Sequence, residues 1–318
     1  MQFFAKCYII EIRKKAVFTK SLREFILMKT LHLISNPVAG KKRALKNLKK
    51  VEEIFSARGV EYQIHLSQGE KDATDIARRL TTGQEETDIV VIGGDGTLHE
   101  VLNGIEDISK CRLGLIPSGT GNDFAEKLHI SLDVEKAVSV VLDGEAKATD
   151  CLEIGGVRCM NVAGLGMDVD VLERCQRGKM KGKLKYLWSL IRTLFAFKEY
   201  EIELINGENR EKHEALLATV CNGSQFGGGI RICPAADVAD GVFNVVVVKD
   251  PKSKWGIIKA FLKLMKGKVL EMPITTHFTC EEIEFLPKTP CTVQLDGELY
   301  KELPFKAKIC KGLRFYRP

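Results

Sequence analysis

Asp88-Ile89-Val90-Val91-Ile92-Gly93-Gly94-Asp95-Gly96-Thr97-Leu98-His99-Glu100 joins two kinds of pattern at a glycine-rich turn. Residues 89–92 are an unbroken apolar run, as in a strand buried on both faces of a parallel sheet. Helical spacing begins at Leu98 and continues through Val101, Leu102 and Ile105. Between them, glycine allows backbone conformations closed to other residues and a close approach to a ligand. Such a turn gathers free N–H groups and the positive end of a helix at one place, which suits phosphate. Asp95 lies inside it, where a carboxylate repels phosphate unless a divalent cation or a reacting hydroxyl stands between them. Alone, the segment equally fits a plain strand-to-helix turn with an N-cap, so its neighbours decide.

Upstream, residues 31–34 form a short strand that ends in Ser35-Asn36-Pro37-Val38-Ala39-Gly40-Lys41-Lys42. Asn36-Pro37 signals a turn, and Gly40 followed by two lysines offers a second loop for phosphate or ribose. Leu45, Leu48, Val51, Ile54 and Phe55 then repeat at helical spacing up to Arg58-Gly59, a helix stop. Residues 61–66 alternate as a strand ending at Ser67-Gln68-Gly69, and residues 73–80 are helical. Downstream, Leu113-Gly114-Leu115-Ile116 predicts another strand, which runs into Pro117-Ser118-Gly119-Thr120-Gly121-Asn122-Asp123-Phe124. Strands alternating with helices over residues 30–143 predict a doubly wound parallel sheet, an α/β fold. Ligands of such sheets bind outside the carboxyl ends of the strands. The loops at 36–40, 93–97 and 117–123 all fall on that edge.

Beyond Thr149 the pattern changes. Short strands at 148–154, 157–163, 200–205, 215–222, 242–248, 283–285, 292–295 and 305–308 predict an all-β second domain, an antiparallel β-sandwich starting near residue 150. Two basic helical segments interrupt it. One covers 179–199. The other covers 252–269, with Trp255, Ile258, Phe261, Leu262 and Met265 on one side and Lys254, Lys259, Lys263, Lys266 and Lys268 dispersed around it. Two readings stand: the apolar stripe covers the sheet while the lysines face water, or the lysines form a cationic face that rests on an anionic membrane.

Composition narrows the class. With 318 residues, 45% hydrophobic and 28% charged, the chain is an ordinary globular one, large enough for two cores. Its net charge of +6 suits an anionic partner, whether nucleotide, nucleic acid or acidic lipid, without choosing among them. The ten cysteines are scattered without Cys-x-x-Cys or zinc-finger spacing, which argues against structural zinc and predicts reduced thiols in the cytoplasm. No apolar run is long enough to span a bilayer, so membrane contact is expected only at the surface. In residues 1–27, Arg13, Lys14, Lys15, Lys20 and Arg23 interrupt the apolar clusters, leaving no signal-peptide h-region. That stretch reads as a non-core extension, such as an upstream start codon produces; a basic membrane-binding helix is the other reading.

Taken in order, Asn36-Pro37-Val38-Ala39-Gly40, the run from Gly93 to Gly104, and Pro117 to Ala125 resemble the diacylglycerol kinase catalytic family. So do Asn222-Gly223, Gly227-Gly228-Gly229, the run from Pro234 to Gly241, and Leu295-Asp296-Gly297-Glu298. That family includes bacterial soluble lipid kinases and is related to sphingosine and ceramide kinases. Gly-Gly-Asp-Gly alone is shared with NAD kinases and phosphofructokinases; the ordered set is specific. The resemblance implies ATP contacts at Asn36, Pro37, Val38, Ala39 and Gly40, at Ser67, at Gly94, Asp95, Gly96, Thr97, Leu98, His99 and Glu100, and at Thr120. It implies a structural Mg²⁺ held by the Asp240 side chain, assisted by backbone carbonyls of Asp237 and Val242. The general base is placed at Asp296 or Glu298, with Glu298 preferred, and Asp95 and Asp123 join a surrounding carboxylate and water network. An ATP-binding domain over 28–150, a lipid- and metal-binding β-sandwich over 151–310, a C-terminal strand within 311–318 returning to the first domain, and a cleft between the two complete the expectation.

The chemistry implied is transfer of the γ-phosphate of ATP to a lipid hydroxyl, with diacylglycerol, giving phosphatidic acid, as the leading acceptor. The setting implied is peripheral, at the inner face of the cytoplasmic membrane. Phosphoryl transfer needs positioning, a cation over the phosphates and a carboxylate for the attacking hydroxyl, and the acidic motifs supply acceptors from both halves. From the residues alone, Asp240-Gly241 and Asp296-Gly297 read as hairpin turns. Ala163-Gly164-Leu165-Gly166-Met167-Asp168 is the stretch expected to shape the lipid side. The competing readings are an NAD-kinase-like kinase of a soluble metabolite and a nucleotide- or membrane-binding module without turnover. No aromatic-interleaved basic groove marks a nucleic-acid partner, and an oligomer is left open.

Overall fold

Two sheets organise the residues that the computed structural model describes, 30–83, 85–177 and 200–318. The expected extension at 1–27 and the expected helix at 179–199 lie outside the described residues. The first sheet begins with β1 (Leu31–Ser35), α1 (Ala39–Ala57), β2 (Tyr62–Leu66), α2 (Asp72–Thr81), β3 (Thr87–Gly93), α3 (Asp95–Gly104) and β4 (Cys111–Pro117). Helices α4 (Asp123–Lys127) and α5 (Val134–Asp143) lead to the edge strand β5 (Ala146–Ala148). Strands β2, β1, β3 and β4 lie side by side and parallel, with Val90 between Leu33 and Gly114. Ile89 to Ile92 are wholly buried, and each such side chain contributes roughly 1.5–3 kcal/mol to the fold. The chain steps one way from β1 to β2 and the other way to β3. The loops after β1 and β3 therefore part company, opening a crevice at the carboxyl edge.

The second sheet comprises β6 (Cys151–Ile154), β7 (Val157–Cys159), β8 (Val162–Gly166), then after α6 (Met167–Arg177) β9 (Tyr200–Asn206), β10 (Asn209–Cys221) and β11 (Phe243–Lys249). It continues past α7 (Lys254–Met265) through β12 (Thr275–Cys280), β13 (Glu282–Pro287), β14 (Thr292–Leu295), β15 (Glu298–Lys301) and β16 (Phe305–Cys310). Its neighbours pair antiparallel, and it folds over two apolar cores. Strand β10 feeds both by alternation: Ala218 and Val220 enter one core, Leu217 and Cys221 the other. Finally β17 (Arg314–Tyr316) returns to the first sheet, parallel to β4 and beside β5. The polypeptide thus crosses between the sheets twice, at Thr149-Asp150 and at Lys311-Gly312-Leu313.

Four local expectations change. The strand expected over 157–163 is broken, because the N–H groups of Met160 and Asn161 turn aside to bind Asp296. The strand expected over 148–154 is broken at Asp150, whose N–H donates to the Val238 carbonyl. Strand β12 and helix α6 appear where neither was expected; α6 follows the glycine-rich run and opens with Asp168 and Asp170 in its first turn. In α7 the buried stripe is Ile257, Ala260 and Leu264, whereas Trp255 is 81% exposed, Leu262 53% and Met265 43%. Three of the five residues of the expected apolar side therefore face solvent, because helical periodicity marks apolar positions without showing which face packs on the core.

Candidate active site

The three glycine-bearing loops pack against one another at the carboxyl edge of the first sheet. Gly40 has φ +56°, and a β-carbon there would lie 1.9 Å from the Ser118 carbonyl oxygen. At Gly94 a β-carbon would lie 2.8 Å from the Gly119 α-carbon, so the β3 and β4 loops touch backbone to backbone. Arg43 Nη1 donates to the Gly119 carbonyl at 3.1 Å and Asn47 Nδ2 to Ser118 Oγ at 2.9 Å, fixing the pair to α1. Asn36 Oδ1 accepts from Val38 N at 3.1 Å and shapes the first loop. Ser67 is buried at the end of β2, its N–H donating to the Ser35 carbonyl at 2.9 Å. Asn36 to Gly40, Gly94 to Gly96 and Thr120 therefore border a single cradle, with Ser67 on the neighbouring strand end. Further along α3 the side chains turn elsewhere. Thr97 packs over Gly93, and Leu98 lines the cleft between the domains. His99 faces the second domain, and Glu100 faces the start of α2, where burial pushes its carboxyl up against the pull of the Lys71 and Ala73 N–H groups.

Two carboxylates stand beside the cradle. Asp95 Oδ1 accepts from Phe124 N at 3.2 Å. Asp123 accepts from Gln225 Nε2 at 2.9 Å and Gly228 N at 2.7 Å, reaching across to the second domain. They flank Gly121, where a β-carbon would lie 3.0 Å from Asp95 Oδ2 and 3.5 Å from Asp123 Oδ2. Burial pushes both carboxyls up, and the charge of Asp95 helps to carry Asp123 to about 6. Among the described residues no lysine or arginine bonds to either. Hard oxygen donors of this kind suit Mg²⁺, which takes one or two carboxylates and completes its shell with phosphate and water. No cluster of three or more His, Cys, Asp or Glu side chains among the described residues could hold a metal alone. The donor set fits an ion that arrives with a polyphosphate.

The opposite wall is the turn between β14 and β15. Asp296 (φ +53°) and Gly297 (φ +91°) adopt the left-handed conformations of a tight hairpin turn. Both oxygens of Asp296 are occupied: Oδ1 accepts from Asn161 N at 2.8 Å and Cys159 Sγ at 3.1 Å, Oδ2 from Met160 N at 2.9 Å and His99 Nδ1 at 3.0 Å. An ionised carboxylate can only accept, so His99 Nδ1 carries the hydrogen, and Nε2 meets Tyr300 Oη at 2.7 Å. Burial pushes Asp296 up, but the His99 bond and the amides outweigh it and hold the carboxyl below the usual carboxylate range. Glu298 is exposed, and its Oε1 would lie 3.3 Å from a β-carbon at Gly96, beside the start of α3. Gln294 Oε1 accepts from Gly297 N at 3.0 Å and steadies the turn. Between the walls is a cleft of about 410 Å³, bordered by Asp95, Thr120, Asp123 and Asp296 on its polar side and by Met160, Val162, Leu172 and Phe226 on its apolar side.

Asp237, Asp240 and Val242 lie apart from this cleft's lining, on the loop before β11. Asp237 Oδ1 accepts from Ala239 N at 3.1 Å and Asp240 Oδ1 from Val242 N at 3.2 Å, both in exposed turns. Asp150 Oδ2 accepts from Gly241 N at 2.8 Å. Burial pushes the Asp150 carboxyl up, and the charges of Asp240 and Asp237 push it further. One oxygen of Asp237 and one of Asp240 remain outside these turn bonds, so the donors fit a hard cation in kind. Asp150 and Gln225 escaped the sequence reading, since one sits in an unremarkable Thr-Asp at the crossing and the other in a loop without a motif. The role of His99 escaped because its partners lie 197 and 201 residues away.

Residues 30–154 match the diacylglycerol kinase catalytic domain, and residues 161–313 match the YegS C-terminal NAD kinase beta sandwich-like domain. The chain is 29% identical over 299 residues to Bacillus subtilis YtlR, provisionally named a lipid kinase, with 86% of this chain and 94% of that one covered. It is 28% identical over 283 residues to a diacylglycerol kinase of Bacillus subtilis, with 87% and 92% covered. A crystal structure of a diacylglycerol kinase from Bacillus anthracis str. Sterne superposes with a TM-score of 0.74 at 24% identity, covering 91% of this chain and 97% of that one. At that identity the likeness speaks for the fold.

Proposed function

We propose, since this chain belongs to the diacylglycerol kinase catalytic family, that it is an ATP-dependent kinase of a lipid hydroxyl, with diacylglycerol, giving phosphatidic acid, as its leading acceptor. One observation carries the reading: Asp95, Thr120 and Asp123 from one domain and the Asp296–Glu298 turn from the other border one cleft with an apolar inner side. Residues 28–150 with β17 act as the nucleotide domain and residues 151–310 as the lipid domain. Asn36 to Gly40, Ser67, Gly94 to Gly96 and Thr120 cradle the nucleotide, with the N-terminus of α3 directed at its phosphates. Asp95 and Asp123 would hold Mg²⁺ at the cleft, where the ion neutralises phosphate charge when bound. Asp240, with the carbonyls of Asp237 and Val242 and with Asp150 beside them, would hold a structural Mg²⁺ that ties their loop to the domain crossing.

Glu298 Oε1 takes the proton from the acceptor hydroxyl as its oxygen attacks the γ-phosphorus, and the bond from that phosphorus to the β,γ-bridging oxygen breaks to release ADP. Asp296, both oxygens bonded, keeps the turn in place rather than moving the proton. Gln225 and the Gly228 amide hold Asp123 in the cleft and thereby join the lobes. Met160, Val162, Leu172 and Phe226 exclude water and receive the apolar part of the acceptor.

A lipid acceptor requires access to an interface. Among the described residues no helix is long and apolar enough to cross a membrane. Helix α7 instead presents Trp255, Leu262 and Met265 to solvent beside Lys259, Lys263, Lys266 and Lys268, the composition of a surface-lying helix on an anionic membrane. Its opposite stripe shares a core with Ile230 and Phe226, and Phe226 lines the cleft.

The deciding experiment incubates the protein with labelled ATP, Mg²⁺ and vesicles containing diacylglycerol, monoacylglycerol, phosphatidylglycerol or a sphingoid base, with NAD as a soluble acceptor. Mass spectrometry of a lipid phosphate is the expected result. A second reading, a kinase of a soluble metabolite, is favoured by the NAD kinase-like description of residues 161–313, and phosphorylated NAD alone would establish it. Nucleotide binding without any phosphorylated product would overturn both.

A further inference from the structure

We propose that Cys151 and Cys310 are a redox-modification site: on exposure to a peroxide they form a reversible disulfide between two neighbouring strands of the second sheet, beside the junction of the two domains. The proposal goes beyond the kinase reading and does not depend on it.

Register supplies the geometry. Cys151 opens β6 and Cys310 closes β16, and the two are directly opposed across an antiparallel pair. Opposed residues in such a ladder have α-carbons about 4.5–5.5 Å apart, within the roughly 4.4–6.8 Å that a disulfide spans. Neighbouring pairs Leu152–Ile309 and Ile154–Ala307 fix that register. Leu152, Ile154 and Ala307 are wholly buried, and a one-residue slip would turn them to the wrong face.

Exposure and acidity divide the roles. Cys310 is half-buried and can meet an oxidant, whereas Cys151 is wholly buried behind it. A hydrogen bond from the Cys151 thiol draws Cys310 down to about 7. Cys151, the donor of that bond and desolvated, is pushed up. Glu153 Oε2 lies 4.0 Å from Cys310 Sγ, and its charge opposes the shift while Lys308 and Arg158 support it. Of the two thiols Cys310 is thus the more readily ionised to the nucleophilic thiolate, with a resolving thiol already opposite. Cys111, Cys159 and Cys221 are buried and pushed up, so they compete poorly.

The step balances. Cys310 thiolate attacks one peroxide oxygen, the O–O bond breaks, and the departing hydroxide takes up a proton to become water. Cys151 loses its proton and attacks the resulting sulfenic sulfur; the S–O bond breaks, an S–S bond forms and a second water leaves. Two thiols are oxidised to one disulfide while one peroxide is reduced to two waters.

Position supplies the consequence. Cys151 follows the outward crossing and Cys310 precedes the return, and the crossings already touch, Thr149 N donating to the Leu313 carbonyl at 2.9 Å. A covalent bond there fastens together the two strand ends from which both connections spring, and so stiffens the backbone at the foot of each crossing.

The test uses the full chain, reduced, then treated with hydrogen peroxide at neutral pH, alkylated and digested. The expected product is one species joining the Cys151 and Cys310 peptides, lighter than their sum by two hydrogen atoms and separated by dithiothreitol. In C310S that species is lost and Cys151 is recovered alkylated. Hydrogen exchange of residues 149–152 and 309–313 should slow on oxidation and recover on reduction. Cys310 recovered as sulfinic acid with Cys151 alkylated, or Cys221–Cys233 as the linked pair, would overturn the site. The linked species with unchanged exchange would overturn the restraint. The peptide measurement uses the unaltered chain, so the outcome stands even if C310S misfolds.

Discussion

Asp123 and Asp296 face the same cleft from opposite domains, both nearly buried, yet their surroundings push them in opposite directions. Asp123 has a neighbouring carboxylate, Asp95, and is carried up to about 6 by burial and that charge. Asp296 has donors on every side, His99, Met160 N, Asn161 N and Cys159, and stays below the usual carboxylate range despite its burial. Burial alone therefore assigns no role. The first domain sets carboxylate against carboxylate, whereas the second domain's aspartate has its charge met by donors; on the reading proposed above, the first arrangement would take a cation and the second would leave Glu298 to react.

The largest expected effect tests that division of labour. Glu298→Gln should lower kcat about 10²–10⁴-fold with KM nearly unchanged, as loss of a general base does. A larger kcat loss in Asp296→Asn than in Glu298→Gln, at equal folded fraction, would reverse the assignment. Asp296→Ala should instead cost stability, on the order of 3–5 kcal/mol in urea unfolding, because it leaves buried donors without their charged acceptor. The Asp123 carboxyl should act oppositely. Its raised ionisation means that its contribution to stability is fully present below about 4 and is lost as pH rises through about 6. Cation binding requires the ionised form, so affinity for Mg²⁺–nucleotide should fall as pH is lowered through about 6. Calorimetry with Asp123→Asn should show that pH step removed. The smallest effect lies outside the cleft: each of Lys259→Glu and Lys266→Glu should weaken binding to anionic vesicles by about 1 kcal/mol or somewhat more. Flotation assays at low and high salt would measure it, and salt-independent binding would count against the α7 face.

What could be read from the sequence follows the same contrast. Strand β3 and the glycine-bearing loops are local: an apolar run, a turn and a helical repeat lie within a few residues, so the α/β sheet and its loop edge were legible there. The alternating short strands likewise announced the sandwich. The satisfaction of Asp296 was not legible, since its donors come from a break in a strand 135–137 residues away and from a helix in the other domain. The same non-locality hid Gln225 as the partner of Asp123. Helix α7 failed differently: the side expected from Trp255, Ile258, Phe261, Leu262 and Met265 is not the stripe that is buried, and only packing against Ile230 and Ile232 decided which face is inside.

Strand β17 has a consequence for biosynthesis. Phe315 is wholly buried and meets Phe124, ring centroids 5.6 Å apart, within the first domain. Domains usually fold as they leave the ribosome, the earliest first. Here the earliest domain lacks an interior strand of its sheet until residues 314–316, beyond the whole second sheet, have been synthesised. The first sheet can therefore be completed only after the second has been made, so the two domains finish folding in the reverse of the order in which they begin.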